Sequence, residues 1–187
     1  DFSYKGTSYS LRVCGKFQTV NALVAIESAE MLIRLGYSIT KEHICDGLSA
    51  LSTPCKFEIL SISPTIIADS THTPIAIEAV CDSLADFKEI TGTKIRLCLP
   101  DGELIPYYIE ALTRRGYDVG SISALALESV GEDERGEVSI PFTLSKTVKA
   151  TAKSALADLS PDTILLISGP SNFTRSLRYE LLGILGF

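Results

Sequence analysis

Asp69 and His72 stand three residues apart in Ile66-Ile-Ala-Asp-Ser-Thr-His-Thr-Pro74, where an apolar run stops at a carboxylate and a proline follows the imidazole. A carboxylate accepts hydrogen bonds, and an imidazole can donate or accept them. The run reads as a strand ending near Asp69. Pro74 opens a helix, since proline is tolerated at the first helical position and Thr73 is suited to cap it. Ile77, Val80, Leu84 and Phe87 supply the apolar stripe of that helix. Both polar side chains then fall outside the carboxyl end of a strand, where open α/β sheets bind ligands. The competing reading is an aspartate that ends a strand and a histidine that caps or decorates a turn, both of them ordinary in loops.

Holding such a junction requires a sheet, and the rest of the chain has the rhythm of one. Residues 2–5 and 9–14 read as short strands around Gly6-Thr7-Ser8. A helix is expected from Val20 to Leu35, closed by Gly36, and a second from Thr40 as N-cap to about Leu51. Ser52-Thr53-Pro54 breaks the pattern, which places an inter-domain hinge near Leu51 to Cys55. Strands follow at Phe57 to Ser63 and Thr65 to Ala68, then the Pro74 to Phe87 helix, then a strand from Lys94 to Leu99. A helix from about Leu104 to Arg115 stops at Gly116, with Pro106 in its first turn. Next come a strand from Val119 to Leu125, a solvated acidic loop from Glu128 to Glu137 and a strand from Val138 to Phe142. Ser145 is expected to cap a helix whose Val148, Ala152, Ala155, Leu156 and Leu159 face inward. Thr163 to Ser168 is a buried strand leading through Gly169-Pro-Ser-Asn172 into a terminal helix. Strands alternating with helices, several of them nearly all apolar, imply an α/β fold with a Rossmann-like, mostly parallel sheet covered by helices on both faces. That domain is assigned to residues 56–187, and residues 1–51 look like the tail of a preceding domain.

The composition narrows the classes of function. With 187 residues, 45% of them hydrophobic, the chain suits one domain, or one domain and a piece of another. No apolar run approaches the ~20 residues that span a bilayer, so no membrane partner is expected. The opening Asp-Phe-Ser-Tyr-Lys lacks the shape of a secretory signal and has no initiating methionine, which suggests an excised fragment. A net charge of −6 with scattered Lys and Arg argues against a nucleic-acid partner. Cys14, Cys45, Cys55, Cys81 and Cys98 are odd in number and form no C-x-x-C pair, which reads as reduced, structural thiols in a cytoplasmic protein.

Three blocks carry a family resemblance. Gly15-Lys-Phe-Gln-Thr-Val-Asn21-Ala22 is similar to G-x-H-Q-x-x-N-A, Pro54-Cys-Lys-Phe-Glu58 to P-G-R-x-E, and Asp69-Ser-Thr-His72-Thr-Pro74 to D-G-A-H-N-P. In this order and spacing they resemble the carboxyl-terminal part of folylpolyglutamate synthases, and more distantly the muramyl ligases, within the Mur ligase superfamily. The resemblance implies a central ATP-binding domain, of which residues 1–51 would be the tail, and a carboxyl-terminal glutamate ligase domain that closes over the nucleotide. ATP would phosphorylate a folate-type carboxylate, and the amino group of glutamate would attack the acyl phosphate to form an amide. The phosphoryl transfer needs cations and positioning rather than a protein nucleophile.

By motif position Asn21 would contact the adenine, Lys56 the phosphates, Asp69 the ribose hydroxyls, and His72 the ribose or phosphates. No catalytic or metal-binding residue is assigned to this chain, and the magnesium site is expected in the missing amino-terminal ATPase domain in cis. Asp69, at a cleft, is expected to contribute little to folding. Phe17 replaces the family's histidine, Cys55 a glycine, Lys56 an arginine and Thr73 an asparagine, and no G-x-x-x-x-G-K-[ST] loop occurs. The fragment alone is therefore not expected to catalyse. Three readings stand: a folylpolyglutamate synthase-like ligase, a muramyl-ligase-like enzyme, and an α/β interaction domain that kept the fold without the chemistry.

Overall fold

The computed structural model describes residues 1–127 and 140–186, without the side chain of Phe87. The chain divides into two compact units, Asp1–Thr53 and Pro54–Phe187.

In the first unit a hairpin of β1 (Phe2–Tyr4) and β2 (Thr7–Tyr9) precedes α1 (Lys16–Arg34) and α2 (Lys41–Ser49). Lys5 and Gly6 have φ of 48° and 75°, the paired positive values that a tight two-residue hairpin turn requires. The second strand therefore starts at Thr7, earlier than the 9–14 expected from alternation. α1 also starts earlier than expected, directly after Gly15, and ends as expected ahead of Gly36 at φ 92°. Thr40 caps α2, accepting from the His43 amide while the His43 ring accepts from the Thr40 amide. Tyr9, Ala22, Ile26 and Leu48 form the core of this unit. α1 is apolar on a second face too, where Val20, Val24 and Met31 are exposed, as is Leu35 at its C-cap.

The second unit is a six-stranded sheet in the order β3-β4-β8-β5-β6-β7. β3 (Glu58–Ile62) runs antiparallel to β4 (Thr65–Asp69), and β4, β8 (Thr163–Ser168), β5 (Lys94–Leu99), β6 (Ile122–Leu127) and β7 (Phe142–Ser145) are parallel. α3 (Pro74–Phe87) packs against α4 (Ile105–Arg114), and α5 (Val148–Leu156) against α6 (Ser171–Leu185). Ile66, Ala68, Leu165 and Ile167 join Ala152, Ala155, Phe173 and Leu177 in one cluster, on the α5/α6 side. Ile67 and Leu166, equally buried, alternate to the other face. Burying each such side chain stabilises the fold by about 1.5–3 kcal/mol, and apolarity on both faces is what a covered parallel sheet requires.

Three expectations are corrected. Residues 119–121 form a 3₁₀ turn because the Asp118 side chain accepts from the Gly120 amide, so β6 begins at Ile122 instead of Val119. β7 is Phe142–Ser145 rather than 138–142, of which 138 and 139, like the expected Glu128 to Glu137 loop, lie outside the described residues. Thr147 caps α5, since Ser145 is still in the strand.

The chain leaves β4 through α3 for β5 and returns at the end to insert β8 between them. α3 and α6 thus depart from adjacent strands to opposite faces. This is the topological switch point at which open sheets bind ligands. Gly169, just past β8 at φ 150°, admits no side chain: a Cβ would lie 2.7 Å from Pro100 Cδ and 3.0 Å from Phe173 Cδ1.

Candidate functional site

The switch point is floored by buried polar groups. Asp69, the last residue of β4, pairs with Ser168, the last of β8, and is 2% exposed. Its Oδ2 accepts from the Phe57 amide at 2.7 Å and its Oδ1 from the Thr71 hydroxyl. Burial pushes the Asp69 carboxyl above its ordinary pKa, while the bonds from Thr71 and Phe57 and the charge of Lys56 pull the other way. Ser168 donates to the Thr71 carbonyl at 2.8 Å and shares a hydrogen bond with the Tyr108 hydroxyl from α4. Thr174, on the first turn of α6, donates to the Gly169 carbonyl at 2.9 Å.

Two loops stand on this floor. In the first, Cys55 and Phe57 have φ of 59° and 52° on either side of Lys56. Left-handed backbone costs a side-chain-bearing residue roughly 1–2 kcal/mol, which explains why the related motif has glycine where Cys55 stands. The loop is held despite this strain: the Cys55 amide donates to Glu58 Oε2 at 2.9 Å, the Cys55 carbonyl accepts from the Ser70 amide at 2.8 Å, and the Phe57 amide is anchored on Asp69. Lys56 is left exposed between two buried neighbours. In the second loop, Ser70 and Thr71 are buried and His72 is exposed. His72 Nδ1 lies 3.1 Å from the Ser70 carbonyl. A carbonyl only accepts, so Nδ1 carries a proton, and in the neutral ring Nε2 is left as an acceptor.

Glu58 and Arg178 brace the arrangement from α6. Arg178 donates Nε to Oε2 at 2.7 Å and Nη2 to Oε1 at 2.6 Å, a planar two-bond fork. Burial works against the charge on Glu58, but the Arg178 fork and the Cys55 amide outweigh it and hold its carboxyl below the ordinary range.

The structure thus gathers Lys56, Asp69 and His72 at one switch point. Asn21 lies in the other unit, exposed on α1, and donates Nδ2 to Gln18 Oε1 at 3.1 Å. The expectation that Asp69 contributes little to folding is corrected: its carboxylate is an internal anchor. Residues the sequence left without a role are Glu58 and Thr71, quoted only as parts of motifs, and Arg178, Ser168 and Tyr108, whose partners lie far away in sequence. No group of three His, Cys, Asp or Glu able to hold a metal occurs among the described residues, and no described helix is long and apolar enough to cross a membrane.

Solved structures whose fold is similar to this one include several ligases. UDP-N-acetylmuramate-alanine ligase from Thermotoga maritima matches 97% of this chain and 41% of its own at a TM-score of 0.62, with 18% identity. Within that group, folylpolyglutamate synthetase from Lactobacillus casei matches 95% of this chain and 40% of its own at a TM-score of 0.67, with 21% identity. The Mycobacterium tuberculosis folylpolyglutamate synthase, solved with ADP and AMPPCP, matches 94% and 42% at 0.62, with 18% identity. In sequence, the chain is 25% identical over 169 residues to a probable bifunctional folylpolyglutamate synthase/dihydropteroate synthase of Halobacterium salinarum, covering 83% of this chain and 19% of that protein. No family model matches the sequence. The chain therefore spans about two fifths of the length of its structural relatives and a fifth of its curated one.

Proposed function

We propose that this chain is the carboxyl-terminal portion of an ATP-dependent ligase that adds glutamate to a folate-type carboxylate, and that the β4/β8 switch point holds part of the ATP. The observation that carries the reading is the pair of exposed groups, Lys56 and His72, raised on loops that are pinned from beneath by Asp69 and Ser168. Lys56 would meet the phosphates as a point charge, without the two-oxygen fork of an arginine. His72 would meet the ribose, and Asn21 the adenine edge. Asp69 acts at one remove, by fixing the Phe57 amide and so the place of Lys56; its 2% exposure leaves little of the carboxylate for a ribose hydroxyl. Glutamate and folate are favoured over muramyl substrates by the curated sequence relative. Mg²⁺ would travel with the ATP phosphates and be held by residues outside this chain.

Exposed Val20, Val24 and Met31 on one face of α1 support a larger ATPase domain in cis around the first unit, since an apolar helix face is stabilised when another element covers it. Five free cysteines support a reducing, cytoplasmic setting.

The test is a titration of the chain with MgATP followed by NMR. Movement of His72 and Lys56 signals at ~1 mM nucleotide, a binding free energy of about −4 kcal/mol, is expected. ATP turnover is not. A flat titration at both residues refutes the site. One observation favours the second reading, a domain that kept the fold without the chemistry: the Asp69 carboxylate spends its bonds inside the protein. That reading predicts the flat titration.

A further inference from the structure

We propose that Tyr108, on α4 and outside the nucleotide site, is a positioning residue that sets the orientation and tautomer of His72 through Ser168 and Thr71. The purpose assigned to it rests on the nucleotide reading above, but its test does not. Ser168 Oγ has one proton, which goes to the Thr71 carbonyl, a group that can only accept. The Tyr108 hydroxyl must then be the donor in the bond it shares with Ser168. The chain of bonds runs one way, from Tyr108 to Ser168 to Thr71. Tyr108 and Ser168 are 0% exposed and Thr71 is 8% exposed, so water is not at hand to replace a missing member.

The Thr71 carbonyl belongs to the peptide that joins it to His72, and the Thr71 hydroxyl is committed to Asp69. With both ends of Thr71 held, His72 has a fixed starting point from which Nδ1–H reaches the Ser70 carbonyl. An imidazole in water carries its proton mainly on Nε2, so this bond selects the minor tautomer. Neutral His72 then offers Nε2 as an acceptor, which suits a hydroxyl donor such as a ribose and not a phosphate oxygen. Tyr108 would thereby bear on which part of a nucleotide His72 takes.

The chain has two histidines, and His43, in the other unit, serves as an internal reference. Long-range ¹H–¹⁵N spectra above the ordinary histidine range would report the tautomer of each. In the parent, His72 is expected mainly as Nδ1–H. Tyr108→Phe should shift its tautomer ratio about fivefold toward Nε2–H, the size of one neutral hydrogen bond, and leave His43 unchanged. Tyr117→Phe is the matched control, since it deletes a buried hydroxyl that has no hydrogen-bond partner among the described residues. Should Tyr108→Phe not fold, Ser168→Ala is read in the same way.

An unchanged His72 in a folded Tyr108→Phe protein overturns the proposal, and so does an equal shift in Tyr117→Phe. In a MgATP titration, the midpoint for Tyr108→Phe should rise about fivefold over the parent. If the tautomer responds while MgATP moves no His72 signal in any protein, the nucleotide reading fails and the positioning role stands.

Discussion

Replacing Asp69 with alanine separates an internal anchor from a ligand-facing carboxylate. The change removes two accepted bonds at once, from the Phe57 amide and from the Thr71 hydroxyl, and both donors are buried. Each buried donor left without a partner costs about 1–3 kcal/mol, so the loss is roughly 2–6 kcal/mol before the relief of no longer burying a carboxylate. A net destabilisation of about 2–4 kcal/mol is expected, enough to lower a urea midpoint visibly. Asp69→Asn keeps one acceptor and should lose about half as much. The pH dependence has a definite sign. Burial raises the Asp69 carboxyl in the folded state, so the parent gains stability from this group as pH falls through that raised value toward the ordinary one. Asparagine does not titrate, so the deficit of Asp69→Asn should widen as the solution is acidified. The chain has no tryptophan, so unfolding would be followed by far-UV circular dichroism. If Asp69→Ala melts within about 0.5 kcal/mol of the parent, the carboxylate is not an anchor and the reasoning fails.

Arg178→Met should cost about 1–2 kcal/mol at neutral pH, less than a fully buried pair because the two side chains are 28% and 23% exposed. Its pH dependence is opposite to that of Asp69: Glu58 is depressed in the fold, so its contribution is complete above the ordinary carboxylate pKa and is lost as pH falls through the folded value, where the Arg178→Met and parent curves should converge. Thiol titration after unfolding without reductant should count five, whereas in the native chain only exposed Cys14 and part-exposed Cys45 should react quickly, with Cys81 and Cys98 pushed up to about 12 by burial. A count of three, or a third fast thiol, would contradict the structure.

The elements legible in the sequence are those whose signals are local. The Pro74 helix with its Thr73 cap, the Lys94 strand and the Thr163 strand stand where apolar periodicity put them, because each carries its own start and stop. Boundaries slipped where one side chain overruled the pattern, as Asp118 does by turning residues 119–121 into a 3₁₀ turn and Thr147 by taking the cap from Ser145. At the candidate site, Asp69 and His72 are legible because they stand three residues apart at one strand end. The Glu58–Arg178 fork was not, since its members are 120 residues apart and either charge alone resembles a solvated one. Nor could alternation tell that the Asp69 side chain turns inward, which depends on the left-handed backbone that carries the Phe57 amide to it.

β8 follows every other described strand in sequence and yet lies between β4 and β5 in the sheet. A polypeptide emerging from the ribosome must therefore hold a gap in the middle of its sheet, with two apolar strand edges unpaired, until residues 163–168 clear the exit. Pairings that join positions so distant are slow to form, which lengthens the interval in which chaperones or aggregation can intervene. Asp69 and Ser168 become neighbours only when that gap closes. A nascent chain stalled before β8 would thus carry the loop residues without the site, and arrest of synthesis at staged lengths should show protease resistance arriving in one late step.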